Sequence, residues 1–263
     1  MLTTDYVPGA PVWIDLGTPD IEAAVGFYGH VFGWVFESAG PGAGGYGMFK
    51  LGGETVAAIG PMSEEDSDPG WSLYFHTSDA DATTRAVEQA GGTVELPPMG
   101  VFDLGRMAHY TDPAGARFAA WEPAGNGGLD AVGEPGTLCW TELYSTDAAT
   151  ARDFYRAVFG WVLQDAPVGG GLDYALVSPA GDGPDTSQGG IMQLPAENIA
   201  AGTTSDWHPY FEVADCDATL AAAAGRGGTV LIPAEHAPGV GRLAMLKDPF
   251  GAPFALLTPD TAA

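Results

Sequence analysis

The chain is short of positive charge. Its 263 residues hold 9 Lys and Arg against 34 Asp and Glu, a formal net charge of −25 at pH 7. A field of that sign repels phosphate backbones and anionic lipid heads, so neither a nucleic acid nor a membrane surface is an expected partner. The acid excess serves solubility on its simplest reading and does not by itself name a cationic partner. Cysteine is scarce as well: Cys139 and Cys216 have neither metal-site spacing nor the numbers for a disulfide framework. Cys139 adjoins the strand opening at Trp140 and reads as a small buried hydrophobe rather than a thiol nucleophile. Long apolar runs are also missing. No stretch approaches the roughly 20 residues of a membrane span, and no basic-then-apolar leader is seen. The expectation is a cytoplasmic protein. With 46% apolar and only 16% charged residues the chain is of the folded class. Its length suits two domains of about 125 residues, each able to bury a core.

Repetition is what the chain has in abundance. Trp13-Ile14-Asp15-Leu16, Thr18-Pro19-Asp20, Phe27-Tyr28 and Val31-Phe32-Gly33-Trp34 return as Trp140-Thr141-Glu142-Leu143, Ser145-Thr146-Asp147, Phe154-Tyr155 and Val158-Phe159-Gly160-Trp161, at a constant offset of 127 residues. Farther on, Gly91-Gly92-Thr93-Val94 and Asp112-Pro113-Ala114-Gly115 return as Gly227-Gly228-Thr229-Val230 and Asp248-Pro249-Phe250-Gly251, at an offset of 136. The chain is a tandem duplication, with about nine extra residues inside the second copy. The boundaries expected are 1–124 and 137–263 for the two domains, joined by a Gly- and Pro-rich linker at 125–136.

Each copy has two similar halves. In the first, alternation marks a strand over Val12–Leu16, Asp20 offers a cap, and a 3.6-residue period runs over Ile21–Phe32 up to Gly33. Short strands follow near 35–36, 46–51 and 55–59. The second half predicts a strand over Trp71–Thr77, a helix over Thr83–Gln89 and strands near 93–96, 106–111 and 117–122. The order is βαβββ, twice per copy. Gly42–Gly45 and Gly169–Gly171, near Pro41 and Pro167, read as hairpin tips, because neither follows a strand and opens a helix as a phosphate cradle does.

These motifs in this order resemble the vicinal oxygen chelate superfamily, which includes glyoxalase I, bleomycin-resistance proteins and extradiol dioxygenases. The residues carrying the resemblance are Asp20, Phe27-Tyr28, Phe32-Gly33-Trp34, Asp79-Ala80-Asp81, Gly91-Gly92 and Asp112-Pro113-Ala114-Gly115, with their second-copy counterparts. The chain looks most like two-domain actinobacterial members labelled glyoxalase-like "hydroxylases", some linked to aromatic polyketide antibiotics. The resemblance implies an α+β fold in which each copy is a glyoxalase-like domain of two βαβββ modules, forming a cupped sheet around a pocket. It also implies where metal-using members place ligands: Trp13, Ser72, Trp140 and His208 on the first strands, Ala119 and Ala255 on the last. Only His208 can bind a metal, whereas zinc or iron catalysis needs about three ligands. The expectation is a protein with no metal and no other cofactor.

Alternation then fills the pockets. Trp13 brings Asp15; Ser72 brings Tyr74 and His76; Ala119 brings Arg117 and Trp121. The second pocket gathers Trp140, Glu142, His208, Tyr210, Glu212, Ala255 and Leu257. Flat aromatic walls with a few ionisable groups suit a small molecule. Asp15 and Glu142 sit mid-strand between apolar neighbours at equivalent places, where a buried carboxylate needs a partner. Each either fixes the fold or acts as a base, Asp15 with His76 and Glu142 with His208. Trp13, Tyr74, Arg117, Trp121, Trp140, Tyr210 and Glu212 are the substrate-binding candidates. His30 suits a helix C-terminus, His109 either lines a cavity or packs, with its counterpart Met245 favouring packing, and His236 sits in a Pro-flanked loop.

Three functions fit. The first is a metal-independent tailoring enzyme acting on an oxygenated aromatic or polyketide-like substrate by hydroxylation, quinone formation, isomerisation or cyclisation. The second is a drug- or metabolite-sequestering protein of the bleomycin-resistance type. The third is a metal-dependent lyase or dioxygenase with ligands outside the usual positions. A small-molecule aromatic is the partner in each, and two pockets in one chain suit a monomer or a homodimer.

Overall fold

Four aspartates start the four main helices. Asp20, Asp79, Asp147 and Asp215 each accept a hydrogen bond from the backbone N–H three residues on, at 2.8–3.0 Å, as N-caps do. The computed structural model describes residues 2–62, 68–166, 172–180 and 186–260. The first copy runs β1 (Pro11–Thr18), α1 (Ile21–Phe32), β2 (Val35–Ser38), β3 (Gly47–Leu51), β4 (Glu54–Pro61), β5 (Gly70–His76), α2 (Ala80–Gln89), β6 (Thr93–Val101), β7 (Gly105–Thr111) and β8 (Arg117–Pro123). The second runs β9 (Leu138–Ser145), α3 (Ala148–Phe159), β10 (Val162–Asp165), β11 (Tyr174–Ser178), β12 (Gly189–Gln193), α4 (Ala196–Ala200), β13 (Asp206–Glu212), α5 (Cys216–Ala224), β14 (Thr229–Ala237), β15 (Gly241–Lys247) and β16 (Pro253–Pro259).

α1 has the bounds the periodicity expects. Gly33 and Gly160 end α1 and α3 at φ 75° and 69°, the left-handed cap that glycine adopts without strain. α2 begins three residues before its apolar period because its cap is Asp79. β6 runs on to Val101 through Pro97 and Pro98. It is an edge strand, where a missing N–H costs no ladder bond. The Gly42–Gly45 run is the turn between β2 and β3, as expected. The tip expected at Gly169–Gly171 lies outside the described residues.

Each copy forms one eight-stranded sheet, in the orders β2-β3-β4-β1-β5-β8-β7-β6 and β10-β11-β12-β9-β13-β16-β15-β14. In every module the first and last strands pair in parallel. The registers are Asp15 with Ala58, Tyr74 with Ala119, Glu142 with Gly190 and Tyr210 with Ala255. The fold is therefore α+β, a duplicated βαβββ pair.

Packing gathers the chain into two compact units that each draw on both copies. Unit one holds Met1–Trp13, Ser72–Gly128 and Trp140–His208; unit two holds Ile14–Trp71, Leu129–Cys139 and Pro209–Ala263. Aromatic side chains fill each. In unit one Tyr155 stacks on Trp161 at 4.9 Å and meets Trp207 edge-on at 5.5 Å. In unit two Tyr28 stacks on Trp34 at 5.7 Å and meets Trp71 edge-on at 5.4 Å. The stretch between β8 and β9 carries no helix or strand but is tied down. Trp121 Nε1 donates to the Asn126 carbonyl at 3.0 Å in unit one. In unit two Trp34 Nε1 donates to the Gly136 carbonyl at 2.8 Å, and Asp130 accepts from the Thr55 N–H at 2.8 Å.

Candidate functional site

In unit one the strand β9 sorts its side chains by parity. Thr141 and Leu143 are fully buried on one face, so Trp140, Glu142 and Tyr144 share the other. Glu142 is only 8% exposed, a setting in which a carboxylate needs hydrogen-bond donors. Tyr174, at the start of β11, supplies one: its hydroxyl is hydrogen-bonded to Trp140 and to Glu142. An indole N–H can only donate. The tyrosine oxygen therefore accepts from Trp140, and its own proton points at Glu142. Burial, and after it the Glu142 charge, push the Tyr174 hydroxyl well above its ordinary pKa, so it keeps that proton. Gly190, opposite Glu142 on β12, makes room; a Cβ there would overlap the Tyr174 hydroxyl and ring.

His208 joins this unit at the start of β13. It is 7% exposed, its ring lies on Tyr144 with centroids 4.7 Å apart, and its Nε2 stands 3.8 Å from the Asp206 carboxylate. From the first copy, unit one takes Trp13, Ser72, Tyr74, His76, Arg117 and Trp121. The Tyr74 hydroxyl is 3.3 Å from His109 Nε2, with the rings edge-on. Ala119 pairs with both of these residues, so His109 shares the Tyr74 face rather than packing away from it. His76 is half-buried and its Nδ1 has no hydrogen-bond partner among the described residues. Burial lowers its pKa, favouring the neutral ring. Trp13 and Trp121 are buried, Ser72 is half-buried, and Arg117 is exposed at the first residue of β8.

Unit two holds Asp15, Tyr210 and Glu212. Asp15 is half-buried and accepts from the Tyr46 hydroxyl at 3.1 Å. Tyr210 is buried, and its carbonyl accepts from Cys139 Sγ at 3.3 Å. Burial pushes the Cys139 thiol far above its ordinary range, so no thiolate forms there. Glu212 is half-buried, its pKa raised by burial and then by Glu134. Ala255 and Leu257 pair with Tyr210 and Glu212 in register. A cleft of about 400 Å³ in this unit is lined by Ile21, Glu22, Val25, Phe36, Ser38 and Gly45 and contains none of the candidates.

Glu142, Trp140 and His208 thus fall in one unit. Asp15 and His76, expected as a pair, fall in different units. His30 lies in the last turn of α1 as the sequence implies. His236 lies in strand β14 rather than in a loop, its Nδ1 3.7 Å from Asp260, because Pro233 is tolerated in that edge strand. Sequence reasoning missed Tyr46, Tyr144, Tyr174 and Asp206. A signal existed for two of them: Tyr46 and Tyr174 occupy the same place in the two copies after a Gly-rich stretch, Tyr46 just before β3 and Tyr174 as the first residue of β11.

The donor set does not fit a metal ion. The positions from which the resemblance draws ligands carry Trp13, Ser72, Ala119, Trp140, His208 and Ala255, and only the histidine is a metal ligand. Among the described residues no group of three or more His, Cys, Asp or Glu could hold one.

The sequence profile of the Glyoxalase/Bleomycin resistance protein/Dioxygenase superfamily matches residues 10–120, and that of the Glyoxalase-like domain matches residues 140–257. The chain belongs to this superfamily. It is 40% identical over 269 residues to the anthracycline biosynthesis protein DnrV of Streptomyces peucetius, covering 97% of this chain and 94% of DnrV. It is 40% identical over 261 residues to the "Putative glyoxylase CFP32" of Mycobacterium tuberculosis, covering 97% of each. Among solved structures, the 2,3-dioxygenase LapB from Pseudomonas sp. KL28 aligns with a TM-score of 0.66 at 16% identity, over 97% of this chain and 94% of LapB. That likeness concerns the fold alone. Among the described residues no helix is long and apolar enough to cross a membrane.

Proposed function

We propose that this chain is a cytoplasmic tailoring enzyme of secondary metabolism, acting without a metal or other cofactor on an oxygenated planar aromatic of the polyketide kind. The observation that carries the reading is the buried Glu142 of unit one, hydrogen-bonded to Tyr174. It shares its strand face with Trp140 and with Tyr144, on which the His208 ring lies. Aromatic faces of this kind suit flat ligands, and a carboxylate beside them can serve as a proton acceptor. In this reading Glu142 takes a proton from the substrate and His208 returns one. Asp15 in unit two and His76 in unit one are separate base and acid candidates from the first copy. In unit one Trp13, Tyr74, Trp121 and Trp140 stack on a ligand and Arg117 engages its polar edge; in unit two Tyr210 and Glu212 serve the same two ends. Similarity to an anthracycline biosynthesis protein along the full length supports the substrate class. Proton removal followed by return at another atom gives isomerisation or cyclisation. An electron-rich substrate anion that meets dioxygen gives hydroxylation or a quinone. The protein acts as a monomer or homodimer.

A second reading has one observation in its favour. Arg117 is the only side chain among the candidates that is always cationic, and it is exposed. The remaining acidic and aromatic groups suit sequestration of a cationic planar drug through stacking and cation–π contact. Turnover separates the two. The purified chain is incubated with an anthrone and with a hydroxyanthraquinone and the mixture resolved by mass spectrometry. A new product that disappears in Glu142→Gln or Asp15→Asn supports the enzyme. A ligand bound tightly and recovered unchanged from the wild type supports sequestration instead.

A further inference from the structure

We propose that Tyr174 is a positioning residue for proton transfer at Glu142 and that Gly190 is glycine so that Tyr174 can reach it, a role read out on the enolisable C–H of an aromatic ketone. The proposal rests on the reading of Glu142 as a base given above.

Three features support it. The hydrogen bonds run one way, from the Trp140 N–H to the Tyr174 oxygen and from the Tyr174 hydroxyl to Glu142, because tryptophan has nothing to accept with. A hydroxyl locked as a donor favours the ionised carboxylate, the form that accepts a proton. The second feature is the glycine, since any side chain at 190 would displace the Tyr174 hydroxyl. The third is recurrence within the chain. Tyr46 donates to Asp15 at 3.1 Å in the other unit, and a Cβ at Gly60, which flanks Tyr46, would overlap that ring. A tyrosine crossing a glycine to reach a mid-strand carboxylate therefore occurs in both copies, although the carboxylate changes from Asp to Glu and the glycine shifts its place.

The step balances without an oxidant. Glu142 takes a proton from the carbon next to the ring system, the C–H electron pair moves onto the ketone oxygen as an enolate, and the reverse step returns a proton from solvent. In deuterated water the product is the same ketone carrying deuterium.

The probe is anthrone under argon, with the full chain at catalytic concentration. Deuterium uptake at the methylene carbon is followed by mass spectrometry from pH 5 to 9, and binding by quenching of tryptophan fluorescence. Wild type should exchange well above the buffer background and Glu142→Gln should fall to it. Tyr174→Phe and Gly190→Ala should bind anthrone within about twofold of wild type yet exchange about tenfold more slowly or worse, the cost of one hydrogen bond to a charged group. Their acid limb should move to higher pH. Circular dichroism identifies misfolding in Gly190→Ala, and Tyr174→Phe, which keeps the ring, carries the test in that event. If both variants match wild type in rate and pH profile while Glu142→Gln is inactive, the positioning role is wrong and Glu142 as base survives. If wild type and Glu142→Gln both exchange only at background, the base itself is wrong and the inference falls with it.

Discussion

The two aromatic cores match almost side chain for side chain; the two candidate sites do not. In unit two Trp71 Nε1 donates to the Tyr28 hydroxyl at 3.3 Å, and that hydroxyl donates to Asp248 at 3.1 Å. In unit one Trp207 Nε1 donates to the Tyr155 hydroxyl at 2.8 Å, and the same hydroxyl stands beside Asp112. Each aspartate also closes its Asp-Pro turn, accepting from the backbone N–H groups of Ala114 and Ala116 in one case and of Phe250, Gly251 and Ala252 in the other. At the candidate sites the same comparison pairs Asp15 with Glu142, Gly17 with Tyr144, Ser72 with His208, His76 with Glu212 and His109 with Met245. A buried tyrosine–carboxylate pair thus serves two purposes in one chain. The cores keep it unchanged because they close the fold. The sites vary around it, as the proposed ligand-binding role requires.

The largest effects should come from the cores. Tyr28→Ala and Tyr155→Ala each remove a fully buried ring and should cost about 3–5 kcal/mol by urea unfolding. A pair of values differing by more than the whole smaller value would break the equivalence of the two cores. At the sites the comparison should fail. Glu142→Gln should lower turnover about a hundredfold or more, as loss of a general base does, with little change in unfolding midpoint. An equal loss from Asp15→Asn would show that both copies run the same chemistry despite their different neighbours.

How much of this was legible beforehand differs between cores and sites. Alternation and the 3.6-residue period set the bounds of α1 and the order of every module, and duplication marked Asp15 and Glu142 as equivalent. The same patterns mark Phe27, Tyr28 and Phe32 as buried but not against what. Phe27 and Phe32 meet Phe254, and Phe32 also meets Phe211, all far along the chain, so the units that divide both copies were invisible. Tyr46 and Tyr174 escaped for a related reason. A lone aromatic at the base of a hairpin reads as core filling, and its carboxylate partner sits on a strand that is not its sequence neighbour. His109 was weighed by its counterpart Met245, which is sound where copies share a purpose and misleads where they diverge.

Smaller effects sharpen the core comparison. Asp248→Ala removes the acceptor for three backbone N–H groups of the turn and for the Tyr28 hydroxyl, and should cost about 2–3 kcal/mol. Asp112→Ala should cost less, since Asp112 Oδ2 has no hydrogen bond among the described residues. Equal costs by thermal unfolding would mean that the Tyr28–Asp248 bond adds nothing. The smallest effect is in pH. Burial raises the pKa of Asp112 and Asp248 above the ordinary carboxylate value. Their contribution to stability is therefore full below the unfolded value, near pH 4, and is lost as pH rises through the raised folded value. Between pH 4 and 7 the wild type should lose stability relative to Asp248→Asn. Parallel unfolding midpoints across that range would place the Asp248 pKa at its ordinary value.

The claim that the sites work through carboxylate and tyrosine rather than through a metal is met most directly by elemental analysis of the untagged chain, purified with neither chelator nor added metal. The account predicts far less than one zinc, iron, nickel or manganese per chain. One equivalent of any of them, retained through dialysis, would contradict it and return the chemistry to metal-assisted lyase or dioxygenase reactions.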